Sequence, residues 1–208
     1  MALPFFVTTS IKYIEEKTMA EAKKKNLYNE AASDRVPIPF GVLPGHAIKL
    51  ELKTVNRDPE KGGILKIYNV TYRISEKVAD ATFTHPITNK PYTGIPLIGR
   101  EVKGKGIFFQ PDTEEHWRNS TFKQSFKDGL GVKFPTEMDG EVECLILDRN
   151  GKDIEEKDIA GKPVLMNVVG EAWTDKSGVN HVSPKVGEIY FNPDEEPLSM
   201  EKLNDAPF

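Results

Sequence analysis

The chain has 208 residues, of which 38% are hydrophobic and 29% are charged, a balance typical of one globular domain with polar margins. It contains no run of about 18 apolar residues, which excludes a helical membrane span. Its single cysteine, Cys144, excludes an internal disulfide, so we expect a cytoplasmic protein.

The net charge of −4 is distributed unevenly along the chain. Residues 47–110 carry eleven Lys and Arg against six Asp and Glu, whereas residues 111–208 carry eleven against twenty-one. A basic half joined to an acidic half indicates a polyanion partner more specifically than composition alone. The alternative is a solvated surface whose charge is merely uneven.

Residues 1–35 are predicted to be an N-terminal arm, helical or disordered, because they contain good helix formers but too few apolar positions for a buried stripe. Met19 followed by Ala-Glu-Ala-Lys-Lys-Lys has the composition of a natural start. The Glu-Glu-Lys at 15–17 needs purine-rich codons, as a bacterial ribosome-binding site does. We therefore expect residues 1–18 to be an upstream extension, and self-association through the arm stays open.

Two strands are predicted after the arm. Residues 36–45 contain three prolines and should form an irregular entry loop. Ile48–Lys53 alternates apolar and charged residues, which is the period of a half-buried strand. After a turn cluster at 56–63, Ile64–Ile74 is rich in β-branched residues and tyrosine and predicts a longer second strand.

A third strand and a helix follow in the predicted order. Residues 82–99 should be irregular, and Arg100–Phe109 should be the third strand, bent sharply at its two glycines or approached closely there by another backbone. A helix is predicted over Glu114–Lys127, ended by Gly129.

Pro163–Trp173 and Val179–Tyr190 predict a final hairpin of two strands. The sequence thus predicts a mainly β domain over 36–191, a five-stranded barrel with one helix between strands three and four, which is the plan of the OB-fold. A generic β-sandwich would not predict that helix. Residues 192–208 are acidic and short of aliphatic side chains, so they should form a mobile tail.

Proteins that hold single-stranded nucleic acid combine cations for the phosphates with exposed rings on which bases stack. In an OB-fold the ligand face lies on strands two and three and the adjoining loops. The candidate phosphate contacts are Lys66, Arg73, Arg100, Lys103 and Lys105. The candidate stacking residues are Tyr68, Tyr72, Phe83, Tyr92 and Trp173. Packing or solvation explains each of them singly, and their joint placement favours a nucleic-acid interface.

The chain ends in Asp205-Ala206-Pro207-Phe208, preceded by further acidic residues. This ending resembles the acidic tip of bacterial single-stranded DNA-binding proteins, which is Asp-hydrophobic-Pro-Phe. In that family the tip docks partner proteins of replication, recombination and repair. The resemblance implies that Phe208 fills an apolar pocket of a partner while its carboxylate pairs with a basic group.

The body is similar, more loosely, to phage-encoded OB-fold proteins of the single-stranded DNA-binding type. The shared features are Leu43-Pro-Gly45, a Gly-rich turn, a basic third strand and Ala160-Gly-Lys-Pro-Val164, over about residues 40–190. The resemblance implies a non-enzymatic phage protein of the bacterial host cytoplasm, without cofactor. It would bind single-stranded DNA with little sequence preference and recruit replication or recombination proteins through its tail.

Two other classes of protein were weighed against this one. A metal-dependent nuclease is disfavoured because the four histidines have no ligand-type spacing, so no metal site is predicted. A structural or interaction protein, such as a virion component with a β-barrel body, would explain the strands and the arm. It would not explain a basic half followed by an acidic tail that ends in phenylalanine.

Overall fold

The computed structural model describes residues 36–56, 64–85, 88–109, 117–134 and 146–204. These residues form eight strands and two helices, and the elements belong to one compact unit, Ile38–Phe208. The strands are β1 (Gly41–Asn56), β2 (Ile64–Ile74), β3 (Thr82–Thr84), β4 (Pro91–Thr93), β5 (Glu101–Lys103), β6 (Ile107–Phe109), β7 (Pro163–Thr174) and β8 (Asn180–Phe191); the helices are α1 (Trp117–Leu130) and α2 (Met200–Asn204). The predicted mainly β class is confirmed.

The main sheet is antiparallel, in the order β5-β2-β1-β7-β8, with β6 also paired to β2. Its ladder is not closed into the predicted barrel. One isolated parallel bridge, between Gly104 and Val186, links the two ends of the sheet, and there the Lys105 N–H donates to the Val186 carbonyl at 2.9 Å. The strands therefore form an open, curved sheet whose edges meet at one point.

The first strand is longer than predicted, and the irregular entry loop is wrong over Gly41–Gly45, which pairs with β7. Pro44 lies opposite Leu165 in this ladder. A proline lacks only the N–H group, and the Pro44 carbonyl still accepts a hydrogen bond from the Ser75 N–H at 3.1 Å. A proline is tolerated at this position because its hydrogen bond uses the carbonyl oxygen as acceptor and does not require an N–H group.

The second strand has the predicted bounds, Ile64–Ile74, and one of its faces forms the core. Tyr68, Val70, Tyr72 and Ile74 alternate along it, and each is at most 2% exposed. Because side chains two apart share a face of a strand, the odd-numbered residues of β2 lie on the opposite face, where Thr71 is itself only 5% exposed. This alternation decides which side chains are free to meet a ligand.

The single third strand predicted over Arg100–Phe109 is two short strands instead. β5 and β6 are separated by Gly104 and Gly106, and both strands pair with β2. A Cβ on Gly104 would lie 3.1 Å from the Val70 carbonyl oxygen, and Gly106 has a φ of +81°. The close backbone approach predicted there is confirmed. The segment 82–99, predicted to be irregular, contains the short β3–β4 hairpin instead.

Helix α1 packs on β8, where the Ser125 hydroxyl donates to the Ile189 carbonyl at 2.9 Å. Gly129 was predicted to end the helix, which is wrong, because the helix continues to Leu130. A Cβ on Gly129 would lie 2.8 Å from Ile189 Cδ1, so this glycine serves close packing. Gly131, with a φ of +65°, follows the last turn. The predicted helix start lies in 111–116, outside the described residues.

The final hairpin agrees with the prediction to within one residue at each end. The mobile tail from residue 192 is wrong for residues 192–204. Asn192 is 4% exposed, the Leu198 N–H donates to the Gly161 carbonyl at 2.9 Å, and α2 follows. The predicted arm (1–35) and the tip Asp205–Phe208 lie outside the described residues.

Candidate nucleic-acid interface

Lysines from three strands lie on the outward face of the main sheet. Lys49 of β1 is opposite Thr71 of β2, and Thr71 is opposite Lys103 of β5. Val102 beside Lys103 is 2% exposed and faces the core, so Lys103 faces outward. One cross-strand row therefore places two lysines on either side of a threonine.

The parallel bridge extends this row to β8. Because Gly104 pairs with Val186, the residues before them, Lys103 and Lys185, lie beside the same junction. Lys105 follows at the same junction, where its N–H donates to the Val186 carbonyl. We name Lys49, Lys103, Lys105 and Lys185 the lysine belt.

One member of the lysine belt, Lys49, forms an ion pair with a neighbouring glutamate. Lys49 Nζ lies 2.8 Å from Glu51 Oε1, which raises the pKa of the lysine and lowers that of the glutamate. Lys103 also contributes to the lowered pKa of Glu51. Among the described residues the other three lysines of the belt form no ion pair or side-chain hydrogen bond. Their charges are therefore available to phosphates.

Trp173 lies near the tip of the long β7–β8 ribbon, and its indole is 48% exposed. Its ring stacks on that of His181, with centroids 4.5 Å apart and planes inclined by 23°. The indole Nε1–H donates to the Ser183 hydroxyl at 2.8 Å. One face of the indole is thus covered and its rotation is restrained, so the opposite face is an ordered flat surface. We name this group the Trp173 platform.

The turn at the ribbon tip holds His181 in place. Asp175 accepts hydrogen bonds from the Ser177 hydroxyl at 2.6 Å, from the Val179 N–H at 3.0 Å and from His181 Nε2 at 2.8 Å. These bonds stabilise the carboxylate and lower the pKa of Asp175, with the Ser177 hydroxyl the largest cause and His181 the next. The acid therefore stays ionised and orients the imidazole beneath the indole.

A second aromatic group lies on the separate β3–β4 hairpin. The rings of Phe83 and Tyr92 are opposite each other, 5.6 Å apart and inclined by 33°, and both residues are half-buried. His85 meets the edge of Tyr92 at 6.4 Å. Burial raises the pKa of Tyr92, and Arg100 opposes that effect. Arg100 therefore lies within electrostatic reach of this pair, as the sequence placed them together.

Two predicted stacking residues are buried. Tyr68 and Tyr72 are 2% and 1% exposed, and burial raises the pKa of the Tyr72 hydroxyl. Their rings pack in the core and offer no face to a base. Lys66 lies two residues before Tyr68 on the same strand, and its backbone is opposite Phe109 and Thr54. Its side chain is not among those that the structure describes.

Arg73, a predicted phosphate contact, lies on the outward face but is already bonded to other parts of the chain. Its guanidinium donates to the Lys202 carbonyl at 3.1 Å and to the Leu203 carbonyl at 3.4 Å, and it lies 3.6 Å from Glu101 Oε1. The two carbonyls belong to α2. A cation bonded to the carboxyl end of a helix is favourable because the helix dipole is negative there. The tail thus covers one of the cations assigned to DNA.

The same tail is fixed upstream by Glu195. The Ser75 hydroxyl donates to its carboxylate, and His46 Nε2 lies 3.7 Å from it. His46, which is 4% exposed, also donates to the Glu196 carbonyl at 3.1 Å. The acidic tail therefore binds the row that contains His46 and Arg73, next to the row of the lysine belt.

Sequence reasoning missed Lys49, Lys185, His181 and Ser183. The alternation of Ile48–Lys53 placed Lys49 outward, but only the pairing with β2 shows that it lies in line with Lys103. Lys185 is brought to the third strand by the parallel bridge, which leaves no trace in a single sequence. His181 lies directly opposite Trp173, and a two-strand register counted from the turn would have found it.

Comparison of the chain with family models, with curated proteins and with solved structures returned no match. Within the described residues, no group of three or more His, Cys, Asp or Glu side chains is arranged to hold a metal ion. In the same residues, no helix is long and apolar enough to cross a membrane.

Proposed function

We propose that the protein binds single-stranded DNA without strong sequence preference. The three lysines of the belt that form no ion pair, together with Arg100, would contact phosphates. The exposed face of Trp173 would stack a base, and Phe83 and Tyr92 are a second stacking position. Tyr68 and Tyr72 are not part of this proposal because they are buried.

The Trp173 platform is the observation that carries the proposal. The exposed indole is fixed by His181 and Ser183 rather than left to rotate. Aromatic stacking is sequence-tolerant because every base has a flat face, and it contributes about 1–3 kcal/mol per base. An ordered ring avoids much of the entropy cost of immobilising a side chain on binding.

The order of elements supports an OB-fold-like reading of the sheet. β1, β2, the interrupted β5–β6, β7 and β8 follow the five-strand order, and α1 lies between the third and the fourth. An OB-fold is a partly open barrel that binds oligonucleotides on strands two and three and on the loops beside them. The lysine belt crosses that face, and the β7–β8 loop is one of those that flank the ligand.

The docked tail supports a role in regulating access to DNA. Arg73 binds the α2 carbonyls, so DNA and tail would compete for it. Binding of DNA would free the tail, whose tip, Asp205–Phe208, would then recruit replication or recombination proteins. We place the protein in the cytoplasm of a bacterial host and assign it to phage DNA metabolism, without enzymatic activity.

The proposal is tested by the emission of Trp173 itself. In a Trp117→Phe background Trp173 is the only tryptophan, and titration with oligo-dT should quench its emission in a saturable way, because bases stack on the indole. DNA binding detected by anisotropy without a change in this emission would contradict the assigned site. No binding at low salt would remove the function and leave the structural-protein alternative leading.

A further inference from the structure

A cavity of about 280 Å³ lies where the end of α1 meets the turn at 148–150 and the start of β7. None of the residues of the candidate nucleic-acid interface lines it. The lining residues are Gly131, Val132, Asp148, Arg149, Asn150, Asp158 and Lys162.

Two cations line this cavity. The Arg149 guanidinium passes over Gly131, where a Cβ would lie 2.8 Å from Nη2, and within the described part of the chain it has no hydrogen bond or ion pair. Lys162 is half-buried, and its ammonium donates to the Leu130 carbonyl at the end of α1. Burial lowers the pKa of Lys162, and Arg149 lowers it further. The two positive groups are therefore close enough to repel each other.

The two acids of the cavity stay charged, and Asp158 opposes the lowering of the Lys162 pKa, but both carboxylates are bonded to backbone N–H groups. Asp148 accepts hydrogen bonds from two backbone N–H groups of its own turn, at 2.8 and 2.7 Å. Asp158 accepts one from the Glu155 N–H at 2.8 Å. In the described residues neither acid forms an ion pair with Arg149 or Lys162. Within the described residues the cavity thus holds a guanidinium without an ion pair beside a half-buried ammonium.

We propose that this cavity binds a phosphate monoester. Such a group has three terminal acceptor oxygens at neutral pH and can accept hydrogen bonds from the guanidinium and the ammonium at once, whereas a phosphodiester or a carboxylate has two. The planar guanidinium suits bidentate binding of phosphate oxygens, and a lysine adds a point charge. The volume is just below the usual range of ligand pockets, about 300–1,000 Å³, which fits one phosphate with a small group attached.

The monoester has two sources, a free nucleotide-like monophosphate and the 5′-phosphate at the end of a DNA strand. The inference does not depend on the proposed function, because none of the interface residues contributes to the cavity. Arg149 is the informative position for a test. Lys162 also binds the end of α1, so changing it would disturb the fold as well as the cavity.

Isothermal titration calorimetry of the full chain with thymidine 5′-monophosphate is the test, with thymidine as the phosphate-free control. The monophosphate should bind and thymidine should not. Arg149→Ala should weaken binding by roughly tenfold or more, since a charge-assisted hydrogen bond contributes about 1.5–3 kcal/mol. Lys152→Ala removes an exposed cation of the same turn and should leave binding unchanged.

Oligo-dT with a 5′-phosphate and with a 5′-hydroxyl separates the two sources. If Arg149→Ala weakens binding of the phosphorylated strand only, the ligand is the 5′-phosphate of a strand. If the unaltered chain binds both strands equally and also binds the monophosphate, the ligand is a free monophosphate. Equal binding of the monophosphate by Arg149→Ala and by the unaltered chain, or no binding below about 10 mM, overturns the proposal. Arg149→Ala should bind the 5′-hydroxyl strand as the unaltered chain does. If the cavity does not bind the monophosphate, the proposed binding of single-stranded DNA is therefore unaffected.

Discussion

Trp173 combines two properties that are rarely found together, exposure and order. Its indole is half exposed, yet a ring stack and a hydrogen bond restrain it. Trp173 and His181 are directly opposite each other on the ribbon, so the hairpin register itself builds the platform. The surface offered to a base is set by the backbone rather than by chance rotamers.

Trp173→Ala should weaken binding of oligo-dT by about 1–3 kcal/mol, because a stacked base loses its partner. Trp173→Phe should lose less, since a smaller ring remains. Tyr190→Ala is a matched control, because Tyr190 is also 48% exposed and lies at the opposite end of the same ribbon. Equal losses at the two positions, measured by anisotropy, would show that the tip is not special.

Asp175 gives a pH prediction for the ribbon tip. Its pKa is lowered in the folded chain, so its contribution to stability is complete above the unfolded value and is lost only as pH falls through the lower folded value. The tip should therefore stay ordered through the range near 3.8 where an ordinary Asp titrates. NMR of the Asp175 carboxyl carbon as a function of pH measures this pKa directly. A midpoint near 3.8, the value of an ordinary Asp, would contradict the observed hydrogen bonds.

The strands were the elements that local patterns predicted best. β2, β7 and β8 follow apolar alternation and turn residues closely, whereas the single third strand predicted over Arg100–Phe109 is divided into β5 and β6, with Gly104 and Gly106 in the break. Gly41–Gly45 was missed because three prolines suggested a loop, while Pro44 takes part in the sheet through its carbonyl alone, which accepts from the Ser75 N–H. A single sequence cannot show which of the two hydrogen-bonding groups a strand residue will use.

The candidate site was predicted only in part, for a related reason. Alternation correctly put Tyr68 and Tyr72 on one face of β2, but it does not say which face packs inward. That choice depends on the neighbours of β2 on both sides, which are set by pairing with β1 and β5. The lysine belt has the same origin, because its members come from strands that are distant in sequence.

Gly94, directly after β4, lies against the backbone of Val78 and allows a test of this close packing. A Cβ there would lie 1.8 Å from the Val78 carbonyl oxygen, so Gly94→Ala should destabilise the fold by about 1–3 kcal/mol as backbone is displaced. Gly187→Ala is the control, since its nearest neighbour is Val169 Cγ2 at 3.5 Å, an ordinary contact. Chemical denaturation should separate the two variants, and equal stability would refute the packing described around Gly94.

At the scale of the whole molecule, the uneven charge of the chain has a structural counterpart. The acidic tail lies on the face that carries the basic residues, where His46, Ser75 and Arg73 bind it. The composition suggested a free tail because the tail is acidic and short of aliphatic residues. Polar and charged contacts hold it instead, and hydrophobic periodicity does not detect contacts of that kind.

Deleting residues 200–208 should leave or raise the affinity for single-stranded DNA, because Arg73 loses its contacts with the α2 carbonyls. Deleting only residues 205–208 is the control, since α2 then remains in place, and it should leave DNA affinity near that of the full chain. Both deletions should abolish binding of tail-dependent partners. A chain without α2 that binds DNA much more weakly would rule out competition between tail and DNA.

The central claim is tested most directly by fluorescence anisotropy of a labelled oligo-dT of about 30 nucleotides, titrated beside the matching duplex over a series of salt concentrations. Binding should prefer the single strand. If Lys103, Lys105, Lys185 and Arg100 each contact a phosphate, the logarithm of the association constant should fall with the logarithm of salt at a slope of about −3. Equal affinity for the duplex, or no binding even at low salt, would contradict the account.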